Sequence, residues 1–215
     1  MPMFLVVEGQ GELEAAHNLI VRLTRERGHD LQWARPRRFL NLHLDRGIRK
    51  AAEVLRIAPD ADGLLILRDE DDRCPAHTGP EIAEWLRALH LPFPAAVVLL
   101  CREYETLFLP CIDLMAGKPL RSNATERPGI VAGTRFEGNP EAIRGAKEWL
   151  SRHFPRGSSY KPTLDQLPMT RMVDFNRLRS CALPCFGTLE RALGFLAEAR
   201  GRAGEVYPRG QDPSA

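Results

Sequence analysis

Three short runs in this chain, Met3–Val7, Leu64–Leu67 and Ala95–Leu100, are apolar without alternation. A strand with one face in water alternates apolar and polar residues, so an unbroken apolar run fits a strand buried on both faces. Parallel sheets sandwiched between helices are built from such strands. The intervening segments carry helical spacing. Leu13, Ala16, Ile20 and Leu23 share one helical face, with Gly28 as the stop, and Ile48, Ala51, Ala52 and Leu55 mark a second helix. Pro80 is read as the start of a third, with the stripe Ile82, Trp85, Leu86 and Leu89, and Leu31–Arg35 as a further strand ended by Pro36. Strand and helix in alternation predict an α/β fold, a mainly parallel sheet flanked by helices.

Ligands of such sheets bind at the carboxyl ends of the strands, and all three runs lead to acids there. The first opens into Glu8-Gly9-Gln10-Gly11-Glu12, the second into Asp69-Glu70-Asp71-Asp72, and the third into Glu103-Tyr104-Glu105. Four consecutive acids repel one another unless solvated or neutralised by a cation. Hard divalent cations such as Mg²⁺ take oxygen ligands, usually carboxylates with water and substrate phosphate. In an extended chain Asp69 and Asp71 project to the same side, about 7 Å apart, which makes them the metal-ligand candidates. Asp72 is secondary and Glu70 faces away. Glu12 sits where a helix dipole favours a carboxylate, and with Glu8 it spans a glycine turn. Tyr104, Leu107, Phe108, Cys111, Ile112 and Met115 follow helical spacing. On that helix Glu103 and Glu105 lie about 200° apart, so both reach one site only if the helix begins after Glu103. The expectation is that one serves the site and the other pairs with an Arg. Each cluster taken alone also fits a solvated acidic turn; their coincidence at three strand ends is what points to a site.

Other chemistries lack their parts. The glycine turn has no Gly-Lys-Ser/Thr ending, so it is no Walker motif, and Cys74 with His77 has no third partner for nucleophilic catalysis. Lys and Arg number 30 against 28 Asp and Glu, a net charge of +2, so no global field dictates a polyanion or membrane partner. No stretch nears the ~20 apolar residues that span a bilayer, and the apolar start runs too soon into Glu8 for a signal peptide. The five cysteines are scattered, which fits free thiols in a reducing cytoplasm. Cys181-x-x-x-Cys185 has metal-pair spacing, but no second Cys/His pair matches it.

The composition divides the chain into an α/β metal-binding core over 1–115, an irregular surface loop over 116–138, a small C-terminal helical extension over 139–200 and a disordered tail over 201–215. Within the extension, Asn139-Pro140 caps a helix carrying Ile143, Ala146 and Leu150. Thr163-Leu164-Asp165-Gln166 matches a capping box, and Pro184 opens a last helix with Phe186, Leu189, Leu193 and Leu196 inward.

Val6-Val7-Glu8-Gly9 after the first strand, followed by Asp69-x-Asp71 after a later one, resembles the Toprim domain of topoisomerases, primases and related nucleases. Glu8-x-x-x-Glu12 is similar to the version in nucleases of the overcoming-lysogenization-defect type. The chain also resembles an uncharacterised family of stand-alone Toprim-like bacterial proteins. That likeness lies at Val7–Glu12, Asp69–Asp72, Arg102-Glu103-Tyr104-Glu105-Thr106-Leu107-Phe108 and Tyr160-Lys161-Pro162-Thr163-Leu164-Asp165-Gln166. It implies a Toprim-like α/β fold binding Mg²⁺ or Mn²⁺, with Glu8 as general acid/base or ligand and Asp69 and Asp71 as ligands. Glu12 would serve a second metal and Lys161 would stabilise transition-state charge. The larger relatives carry an ATPase domain that this chain lacks, so a separate ATPase partner is implied.

The function expected is a metal-dependent phosphodiesterase acting on DNA or RNA through its phosphates, in phage defence or DNA repair. Two alternatives use the same acids. One is a non-catalytic nucleic-acid-binding or regulatory module, and the other a hydrolase of a small nucleotide or phosphate ester.

Overall fold

The computed structural model describes residues 1–58, 60–122 and 126–209. The first half alternates as the apolar runs predict: β1 (Met3–Val7), α1 (Glu12–Glu26), β2 (Arg37–Arg38), α2 (Asp45–Arg56), β3 (Gly63–Glu70), α3 (Pro75–Arg87) and β4 (Ala95–Cys101). Two 3-10 turns, Tyr104–Leu107 and Leu109–Cys111, lead into α4 (Ile112–Met115) and a two-stranded antiparallel ribbon of β5 (Leu120–Arg121) and β6 (Glu126–Arg127). The 3-10 turn Pro140–Ala142 and α5 (Ala146–Arg152) follow, then α6 (Pro162–Arg171), α7 (Phe175–Ser180), α8 (Pro184–Glu198) and β7 (Val206–Tyr207). The five-stranded sheet has the order β2-β1-β3-β4-β7, and every pairing in it is parallel. Among the described residues no helix is long and apolar enough to cross a membrane.

The missing alternation has a direct cause, because successive strand residues enter two different cores. Leu5, Val7, Leu65, Leu67, Val98 and Leu100 pack beneath α1 and the C-terminal helices. Phe4, Val6, Leu64, Ile66, Val97 and Leu99 pack beneath α2 and α3. Each such side chain contributes about 1.5–3 kcal/mol on leaving water, so burial of both faces keeps β1, β3 and β4 at the centre. The helices from 139 to 200 share the first core with α1 through Leu150, Met169, Leu189, Leu193 and Leu196. The C-terminal helical extension is therefore packed onto the sheet.

Several local expectations are corrected. The second strand falls at Arg37–Arg38, after Pro36, and only Trp33 of the earlier run bridges to Met3. The carbonyls of β1 set this placement, since Met3 and Val7 accept the N–H groups of Ala34 and Phe39 at 2.9 and 3.0 Å. The third helix begins at Pro75, one turn before Pro80, because the Cys74 carbonyl already accepts the N–H groups of His77 and Thr78. The segment after β4 forms 3-10 turns before α4 and not one α-helix. In α6 the cap is Lys161, not Thr163, with Pro162 at the first helical position and the Asp165 carboxylate accepting the Lys161 N–H at 2.7 Å.

The span 116–138 contains the β5–β6 ribbon and buries Leu120 and Ile130, so it is part structure, part loop; its residues 123–125 lie outside those described. The tail is not wholly disordered either. Val206 and Tyr207 pair with Ala95 and Ala96, and the Glu205 carbonyl accepts the Ala95 N–H at 2.9 Å. They cover what would otherwise be the open edge of an apolar strand. The disorder expected over 210–215 lies outside the described residues.

Candidate active site

The acids arrive at one place because three neighbouring parallel strands end there. In β3 the two-residue period carries Asp69 onto the face of Leu65 and Leu67, toward α1 and the C-terminal helices. The same period turns Arg68 and Glu70 to the opposite face. There they form a buried ion pair, and Glu70 also accepts the Arg73 N–H at 3.2 Å. Glu70 is thus committed to structure, away from the other acids.

From β1 the chain turns through Gly9 and Gly11 into α1. The Glu12 carboxylate folds back to accept the Gly9 N–H at 3.3 Å. Gly11 is required for close approach: a Cβ there would fall 2.5 Å from Gln166 Oε1 and 2.8 Å from the Pro162 backbone. The turn thereby holds α6 against the start of α1. Glu8 lies at the rim, with Oε1 accepting the Asn41 N–H at 2.8 Å and its carbonyl accepting Arg38 Nε at 2.8 Å.

The exit of β4 is strained. Arg102 has φ of +68°, costly for a residue with a Cβ, and Asn41 at the other rim has φ of 60°. The Arg102 N–H bonds the Glu70 carbonyl at 3.0 Å and its guanidinium bonds the Asp71 carbonyl at 2.7 Å. Glu103 is then extended (φ −139°, ψ 149°) and the helical turn begins at Tyr104. This meets the condition under which both acids reach one site. Among the described residues neither pairs with an Arg. Both meet Lys147 on α5, whose Nζ lies 3.6 Å from Glu103 Oε1, 3.5 Å from Glu105 Oε2 and 3.7 Å from Asp69 Oδ2. Glu103 also accepts the Lys147 backbone N–H at 3.0 Å, tying the start of α5 to the site.

Glu105 is fully buried and held from behind by Tyr160, whose hydroxyl donates to Oε1 at 2.8 Å, and by Gln166 Nε2 at 3.3 Å. Burial pushes its carboxyl up to about 7 against the pull of Lys147 and Tyr160. Burial, then repulsion from Glu12 and Glu105, holds Asp69 well above the ordinary carboxylate range. Burial likewise raises Glu12, opposed by the Gly9 N–H and Lys147. Burial alone would lower the Lys147 ammonium, but attraction to Glu105, Asp69, Glu103 and Glu12 outweighs it and leaves it raised. Asp69 Oδ1 is buried with no hydrogen-bond partner among the described residues, as is Glu105 Oε2, which has only the Lys147 ion pair. Carboxylates here outnumber the ammonium that answers them, and carboxylate oxygen is the ligand type a hard cation takes, but among the described residues no three of these acids bring their ligand atoms within 4.8 Å of one another.

Of the acids and base singled out in the sequence, Glu12, Asp69, Glu103 and Glu105 converge. Glu8 and Asp71 stand beside them, Glu8 acting electrostatically on Glu12 and Asp71 on Asp69. Asp72 is exposed and pairs with Arg144 at 3.3 Å. Lys161 caps α6 with an exposed side chain, and no ion pair joins it to these acids among the described residues. Sequence reasoning missed Lys147, which no spacing marks; the demand of buried acids for a cation was the available signal. Tyr160 and Gln166 belong to the stretch Tyr160–Gln166, to which sequence alone assigns no role at these two positions. Beside the glycine turn, Gln10, Gly11, His17, Arg35, Thr163 and Arg171 line a cleft of about 790 Å³.

No curated protein and no solved structure matches the chain. One family model, described as a domain of unknown function (DUF4276), matches residues 7–194. That match runs from the last residue of β1 into α8 and takes in the converging acids with Lys147, Tyr160 and Gln166, and on it the chain belongs to the DUF4276 family.

Proposed function

We propose that this chain is a phosphodiesterase that cleaves DNA or RNA with the help of Mg²⁺ or Mn²⁺. The observation that carries the reading is the convergence of carboxylates from β1, β3 and β4 on one crevice, with a buried Asp69 oxygen lacking a partner. Glu8, Glu12, Asp69 and Asp71 would hold the cation, with Glu103 or Glu105 completing the set. When bound, such a cation polarises a phosphoryl oxygen and lowers the pKa of an attached water. The resemblance to Toprim nucleases points the same way.

The chain's own residues have separable tasks. Glu8, at the rim with one carboxylate oxygen fixed by Asn41, is placed to exchange a proton with the reacting oxygen. Lys147 is the cation positioned to offset charge on an incoming phosphate, the task the resemblance implies for Lys161. Tyr160 and Gln166 keep Glu105 aimed at the site. Arg35 and Arg171 in the neighbouring cleft would take flanking phosphates. By analogy with the nuclease relatives, the setting is the cytoplasm, in phage defence or DNA repair with a separate ATPase subunit.

A second reading is favoured by the ion pairs of Lys147, which already neutralise part of the acid cluster. Under it the chain binds nucleic acid without turnover, and metal changes affinity only. Incubation with Mn²⁺ and a panel of single- and double-stranded DNA, RNA and dinucleotides separates the two. Cleavage that disappears in Asp69→Asn and Glu8→Gln supports the enzyme. An intact panel with salt-dependent binding supports the module, and cleavage confined to dinucleotides makes the substrate a small phosphate ester.

A further inference from the structure

Cys101, Glu141 and Cys185 come from distant parts of the chain: the last residue of β4, the turn Pro140–Ala142 and the first turn of α8. Their ligand atoms, two Sγ and a carboxylate oxygen, lie within 4.8 Å of one another. The carboxylate is already oriented, since Glu141 Oε1 accepts the Cys185 backbone N–H at 2.9 Å. Cys101 Sγ is also 3.5 Å from the Glu141 carbonyl oxygen. Cys185 is buried, Cys101 and Glu141 partly so, and neither cysteine is in a disulfide.

We propose that Cys101, Cys185 and Glu141 form a Zn²⁺ site separate from the acid crevice. Two sulfurs and one oxygen suit a borderline-soft ion that favours four-coordinate thiolate and carboxylate ligation, with water in the fourth position. The acid crevice offers oxygen alone and suits a harder ion. The Cys185 N–H supplies the outer hydrogen bond that holds a ligating carboxylate in place. Burial and the nearby Glu141 charge raise both thiols, so on binding each gives up its proton to solvent as its sulfur bonds the metal. The ion would cross-link the exit of β4 to the start of α8, bracing the strained turn that presents Glu103 and Glu105. Cys181, exposed at the end of α7, takes no part despite its spacing from Cys185.

Titration of the full, reduced chain with Co²⁺ tests the site. The expected result is a thiolate-to-cobalt charge-transfer band displaced by Zn²⁺. It should fall by about half in Cys101→Ser and in Cys185→Ser, since each removes one of two thiolates, and vanish in the double variant. Cys181→Ser and Asp69→Asn should keep it in full, which separates this site from the acid crevice. Absence of the band, its persistence in the double variant, or its loss in Cys181→Ser would overturn the proposal. A second readout uses chelator-treated Asp69→Asn, whose acid crevice has lost its metal response: Zn²⁺ should raise its melting temperature where Mg²⁺ does not. An unchanged melt with Zn²⁺ also counts against the site.

Discussion

The ammonium of Lys147 stands 3.5 Å from Glu105 and 3.7 Å from Asp69, so one side chain on a short helix answers acids from two adjacent strands. Replacing it by Met removes the cation and leaves the carboxylates facing one another. Lys147 is partly exposed and water screens some of the pairing, so the loss should be about 1–3 kcal/mol of stability. Urea titration measures it, and added Mg²⁺ should restore more stability to Lys147→Met than it adds to the parent chain. An equal response in both would show that metal and Lys147 do not share the acids.

Divalent metal should stabilise the parent chain. At a concentration a hundredfold above Kd the gain is about 2.7 kcal/mol, readable as a rise in melting temperature with Mg²⁺ or Mn²⁺. Asp69→Asn keeps the shape but removes the charge and should abolish the rise. A full rise in Asp69→Asn would remove Asp69 from the ligand set.

Stability should depend on pH in a defined direction. Glu105 ionises near 7 in the folded chain and near 4.5 when unfolded. Between those values the folded state holds the extra proton, so raising the pH through that window destabilises it. Asp69 and Glu12, also raised, act in the same sense. In metal-free buffer Glu105→Gln should therefore gain on the parent as pH rises from 5 to 7.5 in thermal melts. A constant difference would mean that Glu105 titrates normally.

Tyr160→Phe removes the hydroxyl that bonds Glu105 Oε1. Among the described residues Oε1 then keeps only the longer bond from Gln166 Nε2 at 3.3 Å, a loss of about 0.5–1.5 kcal/mol, and the Glu105 carboxyl should rise further. Carbonyl-region infrared or NMR titration of Glu105 reports the shift directly; an unmoved titration would show that this bond does not tune it.

Gly11→Ala places a methyl against Gln166 and Pro162. Relieving the clash must move α6 or the α1 turn, at about 1–3 kcal/mol. Hydrogen exchange should quicken in α6 more than in α2, which lies on the other face of the sheet. Uniform exchange across both helices would contradict the close approach.

Residues near one another in sequence were the legible ones. Asp69 and Glu70 diverge because a strand alternates. Glu103 and Glu105 do not divide as expected, one to the site and one to an Arg, because one extended residue before the turn brings both to Lys147. The strand at Arg37–Arg38 escaped because two exposed residues carry no pattern, and their position is dictated by the β1 carbonyls. The start of the third helix is not legible from its proline, because Pro80 fits a first turn as well as Pro75 does and only the Cys74 carbonyl, accepting the His77 and Thr78 N–H groups, decides it.

By itself the sequence determined the parallel sheet and the acids at its carboxyl edge, because two-sided burial leaves unbroken apolar runs and the residue after each run must emerge there. Only the tertiary structure decided that Lys147 answers those acids, that Tyr160 and Gln166 support them, that Val206 closes the sheet and that Cys185 meets Cys101 and not Cys181. These contacts join segments tens of residues apart. Local spacing carries no record of them, since each partner is chosen by which helix packs on which face of the sheet.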